Sequence, residues 1–434
     1  MLKIGMCRVN INPYIGCALG GFGARKEGAQ GIHDDIEAKI IFIEGTESVV
    51  IVSLDLLGIS ADITDKIRSM VTEIIKVPKN NIMISGTHTH AAPDLIFWDK
   101  DRVSKAYKQS LVENIVGGIT SAWRFREPSR IGFSQGRLEG VGINQRHHDG
   151  KPIDPSVPVI RVDDQNGNLK GILINHTCHP TVLGPDNLFV TAGYPGYTTR
   201  LIERIKGENV IAMFTNGASA DINVGHSPDL SAMGQPIPGR TFKRAEKFGN
   251  MLAGEVLKTL EGIETTEEVP VAAKARIVPL PLKELPSFKQ IENDLKEKEC
   301  FLKDLIKSGA SDKEIAKAEL QKLYAHAMLK LKEERQENLQ NEYMDVELQV
   351  IRIGECALLA CSGEVFVEIG LKIKEKSPFK QTVFIGYANG FVGYITTSEA
   401  IIKEGGYEVE NTHFTSEAEK LIENAAAELL ESVY

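Results

Sequence analysis

Several things are scarce or missing in this 434-residue chain, and each absence removes a class of function. No apolar run approaches the length needed to span a bilayer, so no stable membrane insertion is expected. The opening Met1-Leu2-Lys3-Ile4-Gly5-Met6-Cys7 lacks the charged-then-apolar order of a secretion signal, and the expectation is a cytoplasmic protein. There is no surplus of basic charge: 50 Lys and Arg stand against 59 Asp and Glu, a formal charge of −9. Nucleic acid and anionic membrane surfaces attract cationic patches, so neither is expected as the main partner. The six cysteines form no Cys-x-x-Cys pair, and scattered thiols of that kind are expected as small buried residues without disulfides. The Gly-rich opening between Asn10 and Gly31 lacks the Lys-Ser/Thr ending of a phosphate loop and reads as loop with tight backbone approaches. Internal repeats and Pro/Ser-rich linkers are missing too. With 42% hydrophobic residues the chain can bury a sizeable core, and residues 1–434 are expected to form a single domain.

What is present is a recurring pattern of short apolar runs that end in polar loops. Runs near 36–43, 49–57, 82–86, 159–163, 171–175, 209–214, 346–353, 357–361 and 381–386 predict strands. Amphipathic segments near 62–75, 102–123, 198–206, 240–260 and 415–431 predict helices between them. The expectation is therefore α/β, a large mixed β-sheet core with flanking helices. From 285 to 342 the chain turns rich in Lys and Glu with apolar residues at helical spacing, which predicts a helical hairpin excursion standing off the main body. Gly309 suits the end of its first helix, and Ser311-Asp312-Lys313-Glu314 is a capping box for its second.

The polar loops carry the candidate chemistry. After Ile82-Met83-Ile84 comes Ser85-Gly86-Thr87-His88-Thr89-His90, and residues two apart in extended chain share a side, so both rings can face one small space. A bare His-x-His serves equally as a metal ligand pair or as two rings bonded to loop backbone. The strand before His176-Thr177-Cys178-His179 repeats the arrangement, and Asp221, Glu364 and Tyr394 follow later strands. Histidines plus a carboxylate are how catalytic zinc is held with an open position. Asp55, at a strand end, reads as a loop-bracing carboxylate, and Arg146 taken alone reads as an exposed loop charge. His147 and His148 are adjacent, face opposite ways in extended chain, and make poor joint ligands.

The motifs Ser85-Gly86-Thr87-His88-Thr89-His90 with Pro93, His179-Pro180-Thr181, Gly363-Glu364, and Asn389 through Gly393-Tyr394-Ile395-Thr396-Thr397 with Tyr407-Glu408 resemble, in that order, the neutral (non-lysosomal) ceramidase family. Gly31-Ile32-His33 and the Asn144–Arg146 segment also fit its catalytic domain, and the likeness runs over nearly the whole chain. The resemblance implies a zinc-dependent amidase of sphingolipid metabolism, cleaving N-acyl sphingosine to fatty acid and sphingoid base. It implies one zinc per chain on His88, His179, Glu364 and Tyr394, with His90 beside the metal, Arg146 helping to place the substrate and Tyr407 donating to the oxyanion. The family's full-length enzymes carry a C-terminal immunoglobulin-like domain, and none is expected here. A smaller soluble N-acyl substrate fits a cytoplasmic protein as well as a lipid amide does. The alternatives are a metal-dependent hydrolase of another class, acting on esters or phosphoesters, and a non-catalytic binding protein on the same scaffold.

Overall fold

The computed structural model describes residues 1–96, 103–146, 152–226, 231, 234, 237–337 and 342–434, with backbone only at 313 and 334–337. Eight strands form a large mixed sheet: β1 (Lys3–Asn10), β2 (Glu37–Glu44), β3 (Ser48–Leu54), β4 (Ile82–Gly86), β5 (Glu127–Arg137), β6 (Ser156–Asp164), β7 (Leu169–His176) and β8 (Ile211–Asn216). Their spatial order is β8-β7-β6-β5-β1-β2-β3-β4. Four more form a second sheet in sequence order: β9 (Val271–Pro281), β10 (Tyr343–Ile353), β11 (Cys356–Cys361) and β12 (Gln381–Ile385). The large mixed sheet and flanking helices match the expected architecture. The later strands, which alone cannot be told from additions to one sheet, close into a separate layer.

Strict alternation along the strands builds four layers. In β2, β3 and β4, Ile40, Phe42, Val50, Val52, Ile82 and Ile84 face the helices α1 (Ala61–Ile75) and α2 (Lys105–Arg124). Their neighbours Ile41, Ile43, Val49, Ile51 and Met83 face the second sheet, meeting Ile351, Ile353, Leu358, Val383 and Ile385. The outer face of β6 to β8 is covered by α3 (Gly193–Lys206) and α4 (Phe242–Leu260). Strands sandwiched in this way are apolar on both sides, so alternation of polarity does not set their register, and the turns do. Between β2 and β3 the turn is closed by Gly45 N–H donating to the Glu47 carbonyl, pairing Glu44 with Ser48.

The hairpin helices are α5 (Phe288–Ser308) and α6 (Asp312–Glu337); then come α7 (Val367–Lys376), α8 (Tyr407–Asn411) and α9 (Ala418–Glu431), with α7 and α9 covering the outer face of the second sheet. In the hairpin, Ile291, Ala318 and Ala325 are buried. Two elements escape sequence reading. β1 sits mid-sheet, yet Gly5 and Asn10 interrupt its apolar pattern; a Cβ on Gly5 would lie 1.8 Å from the Ala122 carbonyl oxygen, so α2 requires glycine there. α7 begins within an apolar segment whose first turn reads equally as strand. Among the described residues, no helix is long and apolar enough to cross a membrane.

What positions a site is the set of parallel pairs. β3–α1–β4, β7–α3–β8 and β11–α7–β12 are three crossover units, each pairing its two strands in parallel. Loops at the C-terminal ends of such strands are short, tethered at both ends, and the usual seat of chemistry. Ser85 at the end of β4 bridges Ala388 beyond β12, so the two sheets bring these ends together.

Candidate metal centre

His88 follows β4 with a left-handed backbone (φ 70°), rare for a residue with a side chain. Its backbone N–H donates to Leu56 O at 2.9 Å and its Nδ1 lies 2.7 Å from Leu57 O, with Tyr387 stacked on the ring at 3.8 Å between centroids. A carbonyl only accepts, so Nδ1 carries the proton and Nε2 keeps its lone pair. His179 is set the same way: its N–H donates to Ile222 O, and its Nδ1 donates to Ser219 O at 2.5 Å. Both Nε2 atoms then face one space, 3.1 Å apart. His90 adds a third Nε2, 3.3 Å from that of His88, and its ring edge meets Phe22 at 4.9 Å. Glu364, just past β11, brings Oε2 to 3.5 Å from His88 Nε2 and 3.3 Å from His179 Nε2.

Lone pairs at such distances repel unless something positive lies among them. A proton is a poor answer, because burial pushes the His88 imidazolium below its ordinary value, although Glu364 pulls it back up. His90 is pushed well below its ordinary value by burial, with His88, His179, Arg25 and Arg240 adding to the effect. Burial alone would raise the Glu364 carboxyl, but its coupling to His88 and His179 outweighs burial and keeps it below its ordinary value. Oε2 of this buried carboxylate has no hydrogen-bond donor. Imidazole Nε2 atoms converging on a buried carboxylate oxygen that has no donor fit a divalent cation. The ligand atoms of His88, His90 and His179 all lie within 4.8 Å of one another, the span of one coordination sphere.

The other sequence candidates sit on the same wall. Tyr394 pairs in register with Glu364, and burial pushes its phenol well above 10, with Glu364 adding to the shift, so it is a neutral phenol. Tyr407 lies edge-on to Tyr394 at 6.1 Å between centroids, its phenol likewise raised by burial and by the adjacent Tyr324 hydroxyl. Arg146 corrects the expectation of an exposed charge: its side chain is 8% exposed, with Nη1 2.6 Å from Glu408 Oε2 and Nη2 3.1 Å from Glu404 Oε2. Nη2 also donates to Gly405 O, so this guanidinium clamps the turn that carries Tyr407. Asp55 braces β2, accepting from Glu37 N–H at 3.0 Å. Asp221 accepts from Val367 N–H at 2.8 Å and from Asn144 Nδ2 at 3.0 Å, fixing the start of α7 two residues past Val365. His176 is buried outside the cluster, with both ring nitrogens unpartnered and its pKa lowered by burial to about 4. His147 and His148 lie outside the described residues.

Fold and site together define an αββα protein whose two sheets meet at a buried cluster of three histidines and a carboxylate, an arrangement that can hold a metal ion. The family model described as neutral/alkaline non-lysosomal ceramidase, N-terminal, matches residues 2–234, and the chain belongs to that family. It is 23% identical over 442 residues to the neutral ceramidase of Pseudomonas aeruginosa, a match covering 87% of this chain and 64% of that one. With neutral ceramidase A of Dictyostelium discoideum it shares 26% identity over 239 residues, covering 48% of this chain and 31% of that one. The crystal structure of the Pseudomonas aeruginosa neutral ceramidase superposes with a TM-score of 0.75 at 19% identity, over 99% of this chain and 74% of that one. The fold is thus shared, while this chain spans less than two thirds of the length of the two ceramidase sequences it matches.

Proposed function

We propose that the protein is a zinc-dependent amidase that cleaves N-acyl sphingosine into fatty acid and sphingoid base, a smaller N-acyl amine being the other substrate its chemistry admits. The observation that carries this reading is the set of aimed Nε2 lone pairs of His88 and His179 on the Glu364 carboxylate. Those three residues and the Tyr394 oxygen are the ligands in this reading. A zinc ion held there supplies Lewis acidity, which makes water nucleophilic near neutral pH and an amide carbonyl electrophilic.

The chain's own groups do the rest. His90, neutral because burial disfavours its imidazolium, can accept a proton at Nε2 and return it to the departing amine. The Tyr407 hydroxyl, held protonated by burial, donates to the oxygen on which charge develops. Arg146 keeps that hydroxyl in place through the Glu404–Glu408 turn and thereby serves substrate placement. Metal analysis of protein purified without added metal tests the site: one zinc per chain is expected in the wild type and none in the double variant His88→Ala, His179→Ala. The zinc-loaded wild type should then release fatty acid from N-acyl sphingosine. A wild type that takes up no metal even after soaking in zinc rules the amidase out.

A further inference from the structure

The hairpin α5–α6 has no part in the cluster itself, yet its second helix meets residues that flank the cluster on two sides. Leu323 reaches one side: a Cβ placed on Gly23 would stand 3.5 Å from Leu323 Cδ2. Gly23 follows Phe22, whose ring packs on His90. Tyr324 reaches the other side, its ring 6.5 Å from that of Tyr407, which in turn meets Tyr394 next to Glu364. Successive residues on a helix point about 100° apart. One turn of α6 therefore spans from the histidine wall to the tyrosine wall. Within the hairpin, Lys332 donates to Leu285 O at 3.3 Å, at the excursion's base, and Glu299 of α5 pairs with Lys322, the residue before Leu323.

We propose that α6 is the roof of the substrate site, with Leu323 setting the room left for the substrate's chain and Tyr324 a positioning residue that holds the Tyr407 hydroxyl over the reacting carbonyl. This rests on the amidase reading above. A leucine against the Phe22–Gly23 loop meets an apolar chain by shape alone, so its size discriminates chain lengths. Tyr324 acts through Tyr407, so it affects turnover more than binding.

The test is steady-state kinetics of the zinc-loaded 434-residue protein on N-acetyl- and N-palmitoyl-sphingosine, with metal content measured in parallel. Leu323→Ala should raise the palmitoyl-to-acetyl ratio of kcat/KM by about tenfold and Leu323→Trp should lower it by about tenfold, roughly 1.4 kcal/mol of discrimination either way. Tyr324→Phe keeps the ring and removes the hydroxyl, and should lower kcat several-fold at unchanged KM; Tyr324→Ala should lower it further. Zinc stays at one per chain in all four. Wild-type turnover with an unchanged chain-length ratio in both Leu323 variants, or a Tyr324→Phe enzyme with wild-type kcat, overturns the roof while leaving the amidase standing. Absence of wild-type turnover on both substrates removes the amidase, and the roof with it.

Discussion

At the scale of the residue, one hydrogen bond decides what His88 can do. Because Leu57 O occupies Nδ1, the imidazole has a single free lone pair and a single direction to offer it. His90 is aimed by contact instead. Gly21 adopts φ +91°, and a Cβ there would lie 2.4 Å from the His90 ring. Gly21→Ala should therefore push the imidazole away and strain the loop, lowering kcat/KM by about 100-fold at a stability cost of about 1–3 kcal/mol. Kinetics on the metal-loaded variant beside chemical denaturation would check both, and wild-type kcat/KM in a folded variant would mean that His90 takes no part. With Tyr407 in the proposed role of oxyanion donor, Tyr407→Phe is expected to lose about 100-fold in kcat with unchanged metal content. Of these residues His88, His90, His179 and Glu364 were legible in the sequence, because strand ends of α/β sheets carry chemistry and few residue types hold metals. Leu57, Ser219 and Tyr387 were not, since their part depends on a backbone carbonyl or a ring face brought in from far along the chain. Arg146 was misjudged from its neighbours for the same reason: its carboxylates, Glu404 and Glu408, lie over 250 positions away.

At the scale of the element, Asp221 ties the β8 loop to the start of α7 and so fixes where Glu364 stands. Burial raises its carboxyl from 3.8 to about 7, despite the donors Val367 N–H and Asn144 Nδ2. Between those pH values the folded chain holds a proton that the unfolded chain has released. This group's contribution to stability is therefore full below pH 3.8, declines as the pH rises to about 7 and is level above it, a total of roughly 4 kcal/mol. Asp221→Asn keeps the shape without the charge, so the difference in unfolding free energy between variant and wild type should widen in the variant's favour from pH 4 to 7. Denaturant titrations across that range would measure it, and parallel profiles would show that Asp221 does not titrate there. Elements themselves were largely legible, with β2, β3, β4, α1 and the hairpin caps within a few residues of expectation. α3 begins at Gly193 and not at Thr198: Pro195 falls in the first turn of the helix, where its missing N–H costs nothing, so the Pro-Gly signal lies inside the helix and not before it.

At the scale of the whole molecule, the centre exists only because two sheets keep their strand ends together, and no local signal records that seam. Asn389 sews it. Its backbone N–H donates to Ile84 O at 2.7 Å, its side-chain oxygen accepts from Ile84 N–H at 2.9 Å, and its Nδ2 donates to Glu347 and Gln349 of β10. Arg68 of α1 grips the same Glu347 with two nitrogens, at 2.8 and 3.0 Å. Ile84 lies four residues before His88, and Tyr387, which stacks on His88, lies two before Asn389. Asn389→Ala leaves the buried Ile84 N–H without a partner, takes one donor each from Glu347 and Gln349, and sits in a left-handed turn (φ 63°) that alanine resists, so a loss of about 3–5 kcal/mol is expected. Zinc affinity should fall with it, by about tenfold or more, because His88 and Glu364 come from opposite sheets. Leu429→Ala in α9 supplies the comparison: it opens a cavity in the outer layer at a similar cost in stability, far from the seam. Unfolding and zinc titration of the two variants separate the effects. If both lose the same affinity, the centre merely follows global stability; if only the Asn389 variant loses it, the seam between the sheets is what holds the ligands in register.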